Sequence, residues 1–307
     1  MRKSIVLNAG AQTIGVASSN TLTVNCAISG DGGLVKQSPG TLLLNSVANS
    51  YAGDTQVVNG TLQLGVAGAL PATTGMEVNA SGTFDLAGFN STVSYLDGNG
   101  NVLMGAGTLA INGSSIKTFS GSVSGSGGIG RDGAGVQTLD GTLSYTGNTL
   151  VTGGTLILVG ANTFNSLTGT STASTGGTLR LDGVTFNLTT GKLIANSASV
   201  IEYIGAAVNG GSMRGGGTHR IPGGAPSSTF TNVIVSFGAN VDQAGPASFD
   251  GVVSLGKIDN GTTLDWTGGG NSGTLNVNAT VNTSGDWLNS GTANVHAAGK
   301  ISNMGRT

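Results

Sequence analysis

Charged and aromatic residues are scarce in this chain. Of 307 residues, 8% are charged and 5% are aromatic, whereas about 25% of the residues in an average globular domain are charged. The 12 lysines and arginines are balanced by 14 acidic residues and form no basic cluster, so we expect no nucleic-acid partner. No run of 18 apolar residues occurs, so the sequence predicts no membrane-spanning helix.

Cysteine is almost absent as well. The single cysteine, Cys26, cannot form an internal disulfide. It lies in an aliphatic run, residues 22–28, and we expect it to be a small buried side chain rather than a reactive thiol. Near the N-terminus the apolar run covers only residues 5–7, far short of the roughly 7 to 15 residues of a signal-peptide core. We therefore expect no export signal within the given sequence.

Glycine is present in excess, at 56 of the 307 positions. In residues 30–65, Gly, Asn, Asp and Pro separate four short aliphatic or β-branched runs, and this pattern is typical of short strands closed by turns. Four strands in so short a stretch leave no room for a helix. Helical periodicity is not sustained elsewhere, so we expect an almost wholly β protein.

The pattern of residues 30–65 returns further along the chain. Residues 123–129 echo residues 28–34, and Gly154-Thr155-Leu156 echoes Gly60-Thr61-Leu62, with nearly the same offset in both cases. Two copies that keep nearly the same spacing indicate a repeat architecture.

Residues 30–65 begin with a Gly-rich turn, followed by Leu-Val-Lys at residues 34–36 and Gly-Thr-Leu-Leu-Leu at residues 40–44. The motif Asn-x-Tyr-x-Gly-x-Thr at residues 49–55 and Gly-Thr-Leu-Gln-Leu-Gly at residues 60–65 complete the order. This order resembles the autotransporter-associated β-strand repeat of Gram-negative passenger domains. The resemblance covers residues 30–65 and extends to residues 123–160, where Arg131-Asp132 is aligned with Val35-Lys36. It implies a passenger that is joined, outside this sequence, to an outer-membrane β-barrel translocator.

Gly-Thr-Leu, or a near equivalent, recurs along the chain, often at a spacing typical of one coil in a repeat protein. We therefore predict an all-β fold, a right-handed parallel β-helix (β-solenoid), with aliphatic residues in the bore and Gly and Asn at the corners. The handedness follows from the resemblance and from the general rule for parallel connections. Leu42, Leu62, Leu109 and Leu156 are expected to point inward.

The repeat pattern changes near Lys192. We divide the chain into residues 1–191, a solenoid with two autotransporter-type repeats, and residues 192–307, a divergent continuation that is truncated at its C-terminus. A Gly- and Pro-rich segment at residues 210–226 is expected to be a loop or an irregular coil.

Three motifs that could carry binding chemistry are weak. Residues 125–130 match G-x-G-x-x-G, which is expected by chance in so Gly-rich a chain. Residues 127–132 fit the start of a calcium-binding nonapeptide but have no tandem copy, and residues 97–101 lack the Gly and Glu that complete a calcium loop. We predict corner turns at all three, and assign no cofactor and no metal.

The acid and base candidates are scattered. His219 and His296 lie far apart in sequence, and we expect both at exposed or corner positions. The nearest acidic pairs, such as Asp259 with Asp265, show no neighbouring Arg, Lys or His that would separate their pKa values. We therefore assign no catalytic, cofactor-binding or metal-binding residues.

These observations favour a non-catalytic, surface-exposed or secreted passenger fragment of a Gram-negative bacterium that acts as a stalk or adhesin. Its partners would be host or matrix glycans or proteins, or other cells. One alternative is a carbohydrate-active β-helix enzyme, a polysaccharide lyase or hydrolase, and another is a spacer that only drives folding during export. A cluster of Asp, Arg and Lys on one face would favour the enzyme, and plain Thr/Asn ladders would favour the scaffold.

Overall fold

The computed structural model of the chain describes residues 4–167 and 169–303. Within these ranges all regular elements are β-strands, paired in parallel with strands one coil away. No helix in the described part of the chain is long and apolar enough to cross a membrane. Two compact units are present, the first formed by residues 1–149 and 154–156 and the second by residues 150–153 and 157–307. The fold is therefore all-β and a parallel β-solenoid, as the glycine-punctuated strands predict. Its handedness remains a prediction.

The first unit stacks its strands in ladders, each ladder forming one face of successive coils. The first ladder contains Ala11–Gly15, Gly33–Gln37, the beginnings of Thr55–Leu64 and Met76–Asp85, Leu96–Gly98, Ile116–Phe119 and Val136–Leu139. The second contains Thr21–Val24, Thr41–Leu44, the ends of the same two long strands, Asn101–Leu103, Ser122–Gly125 and Thr142–Tyr145. Shorter ladders pair Ile5–Leu7 with Ile28–Gly30, and Ser91–Val93, Leu109–Ile111 and Ile129–Arg131 with one another. Thr149–Val151 and Thr155–Val159 contain residues of both units.

The second unit has two broad ladders. The first contains Thr178–Asp182, Val200–Ile204, Thr218–Ile221, Asn240–Gln243, Lys257–Asn260, Thr274–Val277 and Thr292–Val295. The second contains Thr163–Leu167, Thr170–Ala173, Thr185–Ala195, Ala207–Arg214, Ser228–Thr231, Ile234–Val235, Ala247–Asp250, Val253–Ser254, Leu264–Thr267, Gly270–Asn271, Thr280–Ser284, Leu288–Asn289 and Lys300–Asn303.

The length of one coil is not constant. In the first unit Ala11 lies beside Gly33. In the second unit Thr178 lies beside Val200, at the same sequence separation, whereas Asn240 lies beside Lys257, at a clearly smaller one. The strands shorten with the coil: one face of the longer coil is Thr185–Ala195, whereas the same face of the shorter coil is Ala247–Asp250 and Val253–Ser254.

The bore is filled by alternate residues of each strand, since successive strand side chains point to opposite faces. Leu42, Leu62, Leu109 and Leu156 are each fully buried, which confirms the inward orientation expected for the first aliphatic residue after a Gly-Thr corner. Cys26 is half-buried rather than fully buried, because it lies in the corner that follows Thr21–Val24 and not within that strand.

The segment at residues 210–226 is not the loop that its Gly and Pro content predicts. It includes the end of Ala207–Arg214 and all of Thr218–Ile221, and both strands pair with coils on either side. Pairing above and below compensates for the weak strand preference of glycine. The division of the chain at residue 192 remains a prediction.

Candidate functional site

The outward side chains of its first ladder form a continuous polar surface on the second unit. Four-residue strands such as Asn240–Gln243 and Thr274–Val277 alternate half-buried and buried residues, so their first and third side chains point away from the bore. We call the outward residues of these seven strands the outer face. Threonine and asparagine recur on this face, as in the ladders that would favour a scaffold, but the face also carries charges.

The third residue of each strand forms a single column on the outer face. Parallel pairing in register places these residues one coil apart, at about 4.8 Å. The column consists of Arg180, Glu202, Arg220, Asp242, Asp259, Asn276 and Asn294.

Charges of opposite sign alternate in the first part of this column. Arg180 Nη2 lies 2.8 Å from Glu202 Oε2, and Arg220 Nη1 lies 3.6 Å from Glu202 Oε1. Arg220 Nε in turn lies 3.5 Å from Asp242 Oδ2. Opposite charges directly across a strand pair stabilise the pairing, whereas like charges would weaken it.

The rest of the column changes to amides. Lys257 Nζ lies 2.8 Å from Asp259 Oδ2, and Asn276 Nδ2 donates to Asp259 Oδ1 at 2.5 Å. Asn294 Nδ2 then donates to Asn276 Oδ1 at 2.9 Å. The neighbour that was expected to be missing beside Asp259 is therefore present, because Lys257 lies two residues earlier on the same outward side of the strand.

The column is a cluster of Asp, Arg and Lys on one face, the feature expected of a carbohydrate-active enzyme. Its arrangement is different from that of an acid and base pair. Each carboxylate in it is paired with a basic or amide side chain of the same strand or of an adjacent coil. General acid or base catalysis needs a carboxyl group that is free to exchange a proton with a bound substrate, whereas these carboxylates are held by ion pairs and hydrogen bonds within the column.

His219 is fully buried in the bore, which corrects the exposed or corner position expected from the sequence. It is the second residue of Thr218–Ile221 and therefore points inward, between two apolar residues of adjacent coils, Ile201 and Val241. Nδ1 accepts a hydrogen bond from the Tyr203 hydroxyl at 2.8 Å, and Nε2 donates to the Arg214 carbonyl oxygen at 3.0 Å. Burial lowers the pKa of His219 to about 4, so the ring is neutral near pH 7.

The other acid and base candidates do not join His219. Asp259 is the third residue of Lys257–Asn260 and points outward, on the opposite side of the ladder from the His219 ring. His296 is exposed in the corner that follows Thr292–Val295, as expected. The structure therefore does not bring these three candidates into one site.

Two buried cations occupy equivalent positions in the two repeats. Lys36 and Arg131 each follow a buried aliphatic residue by two positions, Leu34 and Ile129, so Arg131 corresponds to Lys36 rather than to Val35. Lys36 Nζ donates to the carbonyl oxygens of Gln37, Ser38 and Asn59 at 3.2, 2.6 and 2.9 Å.

Arg131 binds the backbone in a similar way. Its Nη1 and Nη2 atoms donate to the carbonyl oxygens of Ile111 and Gly113 at 2.8 and 2.7 Å. Burial lowers the pKa of both basic side chains. In each repeat the cation satisfies carbonyl groups near a coil corner, so these charges serve the fold rather than an exposed site.

A tyrosine and a threonine four residues later are also shared by the two repeats. The hydroxyls of Tyr51 and Thr55 lie 2.6 Å apart, and those of Tyr145 and Thr149 lie 2.7 Å apart. Burial raises the pKa of Tyr145 to about 12, so its hydroxyl keeps its proton. The motif Asn-x-Tyr-x-Gly-x-Thr thus encodes a buried hydrogen bond at a coil corner.

Local sequence patterns do not predict the outer-face column. Its charged members lie one coil apart in the sequence. They can be recognised as a set only when the position of each residue is counted from the start of its own strand. The buried amides of Gln243 and Asn260 were missed too. They bond to each other at 2.8 Å inside the bore, at positions where the strand pattern predicts aliphatic residues.

The parallel ladders and the two repeats place this chain in the class of β-solenoid repeat proteins. The family model described as Passenger-associated-transport-repeat matches residues 34–64 and 131–158. Over 150 residues the chain is 43% identical to the Adhesin BmaC autotransporter of Brucella suis biovar 1 (strain 1330). That match covers 48% of this chain and 4% of the relative, so the chain spans a small part of that protein's length. No solved structure matches the chain. The chain therefore carries two passenger-associated-transport repeats, and about half of its length is similar to part of an autotransporter adhesin.

Proposed function

We propose that this chain is a segment of the surface-exposed or secreted passenger of a Gram-negative autotransporter adhesin, and that it binds surface targets without catalysis. The observation that carries the proposal is the outer face, where charged and amide side chains are paired along successive coils. Its similarity to part of a protein named an adhesin supports the same role. A β-barrel translocator would lie elsewhere in the full-length protein.

The paired column suits adhesion better than turnover. Side chains held by their neighbours lose little further freedom when a partner binds, and this lowers the entropy cost of forming many shallow contacts. A general acid or base would instead need a pKa near the working pH, in a concave site that excludes water.

The proposal is tested by coating beads with the purified chain and counting the beads retained by host-cell layers and matrix coatings. Coated beads should be retained above uncoated beads. Placing a bulky cation at the amide end of the column, by the double change Asn276→Arg and Asn294→Arg, should abolish most of this retention.

The matched control is Asn101→Arg in the first unit, where an exposed amide also bonds to the next coil, through Ser122 Oγ at 2.6 Å. This variant should be retained like the original chain. Equal loss in both variants, or retention no better than uncoated beads, would count against the outer face as an adhesive surface.

Catalysis is tested separately, by incubating the chain with neutral and acidic polysaccharides and measuring new reducing ends and unsaturated products. No turnover is expected. Turnover that disappears in Asp259→Asn would reject the non-catalytic role, because loss of one general acid or base typically costs about 10² to 10⁴ in rate.

A further inference from the structure

A groove of about 470 Å³ runs along one corner of the second unit, beside the first residues of four outer-face strands. It crosses several successive coils, so its long axis follows the direction of stacking. We call it the corner groove. Its lining consists of Phe237, Gly238, Ala239, Asn240, Leu255, Gly256, Lys257, Ser272, Gly273, Thr274, Gly291 and Thr292.

The floor of the corner groove is bare backbone. Gly256, Gly273 and Gly291 stack directly on one another in three coils. A Cβ atom on Gly273 would lie 2.0 Å from the Gly256 carbonyl oxygen, and one on Gly291 would lie 2.3 Å from that of Gly273. The three glycines therefore let adjacent coils stack closely, and they place no side chain on the floor of the groove.

One wall is apolar and exposed. Phe237 is 90% exposed and Leu255 is 44% exposed, and both line the same groove. Single exposed apolar residues are common on protein surfaces, but a phenyl ring and a leucine that border one concave surface indicate a binding site. Neither side chain is fully buried, so packing within the fold does not explain why they lie there.

Most of the other side chains in the lining are polar, and some of them repeat with the coils. Thr274 and Thr292 occupy the same position in adjacent strands, and the hydroxyl of the lining residue Ser272 lies 2.9 Å from that of Ser290, outside the lining. Hydroxyl groups therefore recur at the coil spacing of about 4.8 Å. The charge of Lys257, the one ionisable side chain in the lining, is balanced by Asp259 at 2.8 Å.

We propose that the corner groove binds a linear, uncharged glycan. A sugar ring has apolar C–H faces that can pack on the Phe237 ring and an edge of hydroxyls that can bond to serine, threonine and backbone groups. A repeating hydroxyl surface matches a polymer whose own polar groups repeat, and a groove without free charge gives no preference for an acidic polymer. The inference rests on the proposed adhesive function and names its target class.

The test measures binding of the whole chain to a soluble neutral β-glucan, to dextran and to the acidic polymer polygalacturonate, by affinity electrophoresis and calorimetry. At least one neutral polymer should bind, with an affinity that is nearly independent of salt. Phe237→Ala should weaken this binding about tenfold or more, since a central aromatic anchor dominates many interfaces. The thermal stability should not change, because the ring is exposed.

The matched control is Phe89→Ala, which removes a partly exposed ring in the first unit and should leave glycan binding unchanged. Ser272→Gln, which narrows the groove without adding charge, should weaken neutral-glycan binding as Phe237→Ala does. Equal affinities in Phe237→Ala and the original chain would overturn the assignment of the groove.

The other outcomes separate this inference from the proposed function. Salt-sensitive binding of polygalacturonate alone would overturn the uncharged-glycan assignment. Binding of coated beads to cells without binding to any neutral polymer would overturn it too, but would leave the adhesive role in place, whereas failure of the beads as well would remove both. Self-association that Phe237→Ala abolishes would show that a second copy of the chain occupies the groove instead.

Discussion

Lys36 is fully buried, and its ammonium group donates to three carbonyl oxygens. Replacing Lys36 tests how much the buried charge contributes to the stability of the fold. Lys36→Met keeps much of the apolar stem but leaves these acceptors without their donor. We expect a loss of about 1–3 kcal/mol in the free energy of unfolding, measured by urea denaturation.

The control is Lys117→Met in the same unit. Lys117 pairs with Asp97 at 2.7 Å, but both side chains are about one-third exposed, so its loss should cost no more than about 1 kcal/mol. Similar losses in the two variants would show that burial of Lys36 contributes nothing specific.

His219 makes the second unit sensitive to acid. Its pKa is about 4 in the folded chain and about 6.5 when unfolded, so the unfolded state binds the extra proton between these values. The stabilising contribution of the neutral ring is complete above pH 6.5 and is lost as the pH falls toward about 4. The total is about 3 kcal/mol.

The measurement is the difference in unfolding free energy between the original chain and His219→Gln, followed from pH 7 to pH 4. The difference should shrink by about 3 kcal/mol over this range. His296→Gln, which changes an exposed ring outside the bore, is the control for the substitution itself. A constant difference for His219→Gln would mean that the imidazole is accessible to solvent.

At the scale of a repeat, the tyrosine hydroxyl bonds offer a test of what the two copies share. Tyr51→Phe and Tyr145→Phe each remove a buried hydroxyl that bonds to a threonine, and each should cost about 1–2 kcal/mol of unfolding free energy. Tyr95→Phe removes a more exposed bond, of 2.7 Å to Asp54, and should cost less. The three variants are compared by urea midpoints, and an equal cost for Tyr95→Phe would argue against a special role for the repeat tyrosines.

The two repeats also show where sequence reasoning succeeds and where it ends. The short strands, the corners and the inward leucines follow from local patterns, because glycine and alternating aliphatic residues act within a few positions. Local patterns do not predict the ladder in which a strand lies. Thr41–Leu44 lies in the second ladder, but its counterpart Val136–Leu139 lies in the first, because the offset between the two repeats is not a whole number of coils.

The sequence does not predict the buried polar groups, for a related reason. His219, Gln243 and Asn260 alternate correctly for inward positions, but their residue types predict exposure. Their partners are supplied by the corners and by other coils, as with the Asn260 oxygen that accepts from the Ala279 N–H at 3.0 Å. Only the stacking of coils reveals that such a group is satisfied.

For the whole chain, a net charge of −2 and 8% charged residues mean that little long-range electrostatic attraction is available. Charges on the outer face are paired with each other, which further reduces the field that reaches a partner. Association that is not steered by charge proceeds at about 10⁵–10⁶ M⁻¹s⁻¹ and changes little with salt. We therefore expect the capture of coated beads by cell layers to be nearly the same at low and high ionic strength.

A substitution in the column provides the control for this prediction. Arg220→Gln leaves Asp242 without its partner and Glu202 with Arg180 alone, so the outer face gains a net negative charge. Bead capture by this variant should become salt-dependent, falling at low ionic strength on negatively charged cell surfaces and recovering when salt screens the repulsion. Strong salt dependence of the original chain would instead show that unpaired charge outside the column drives adhesion.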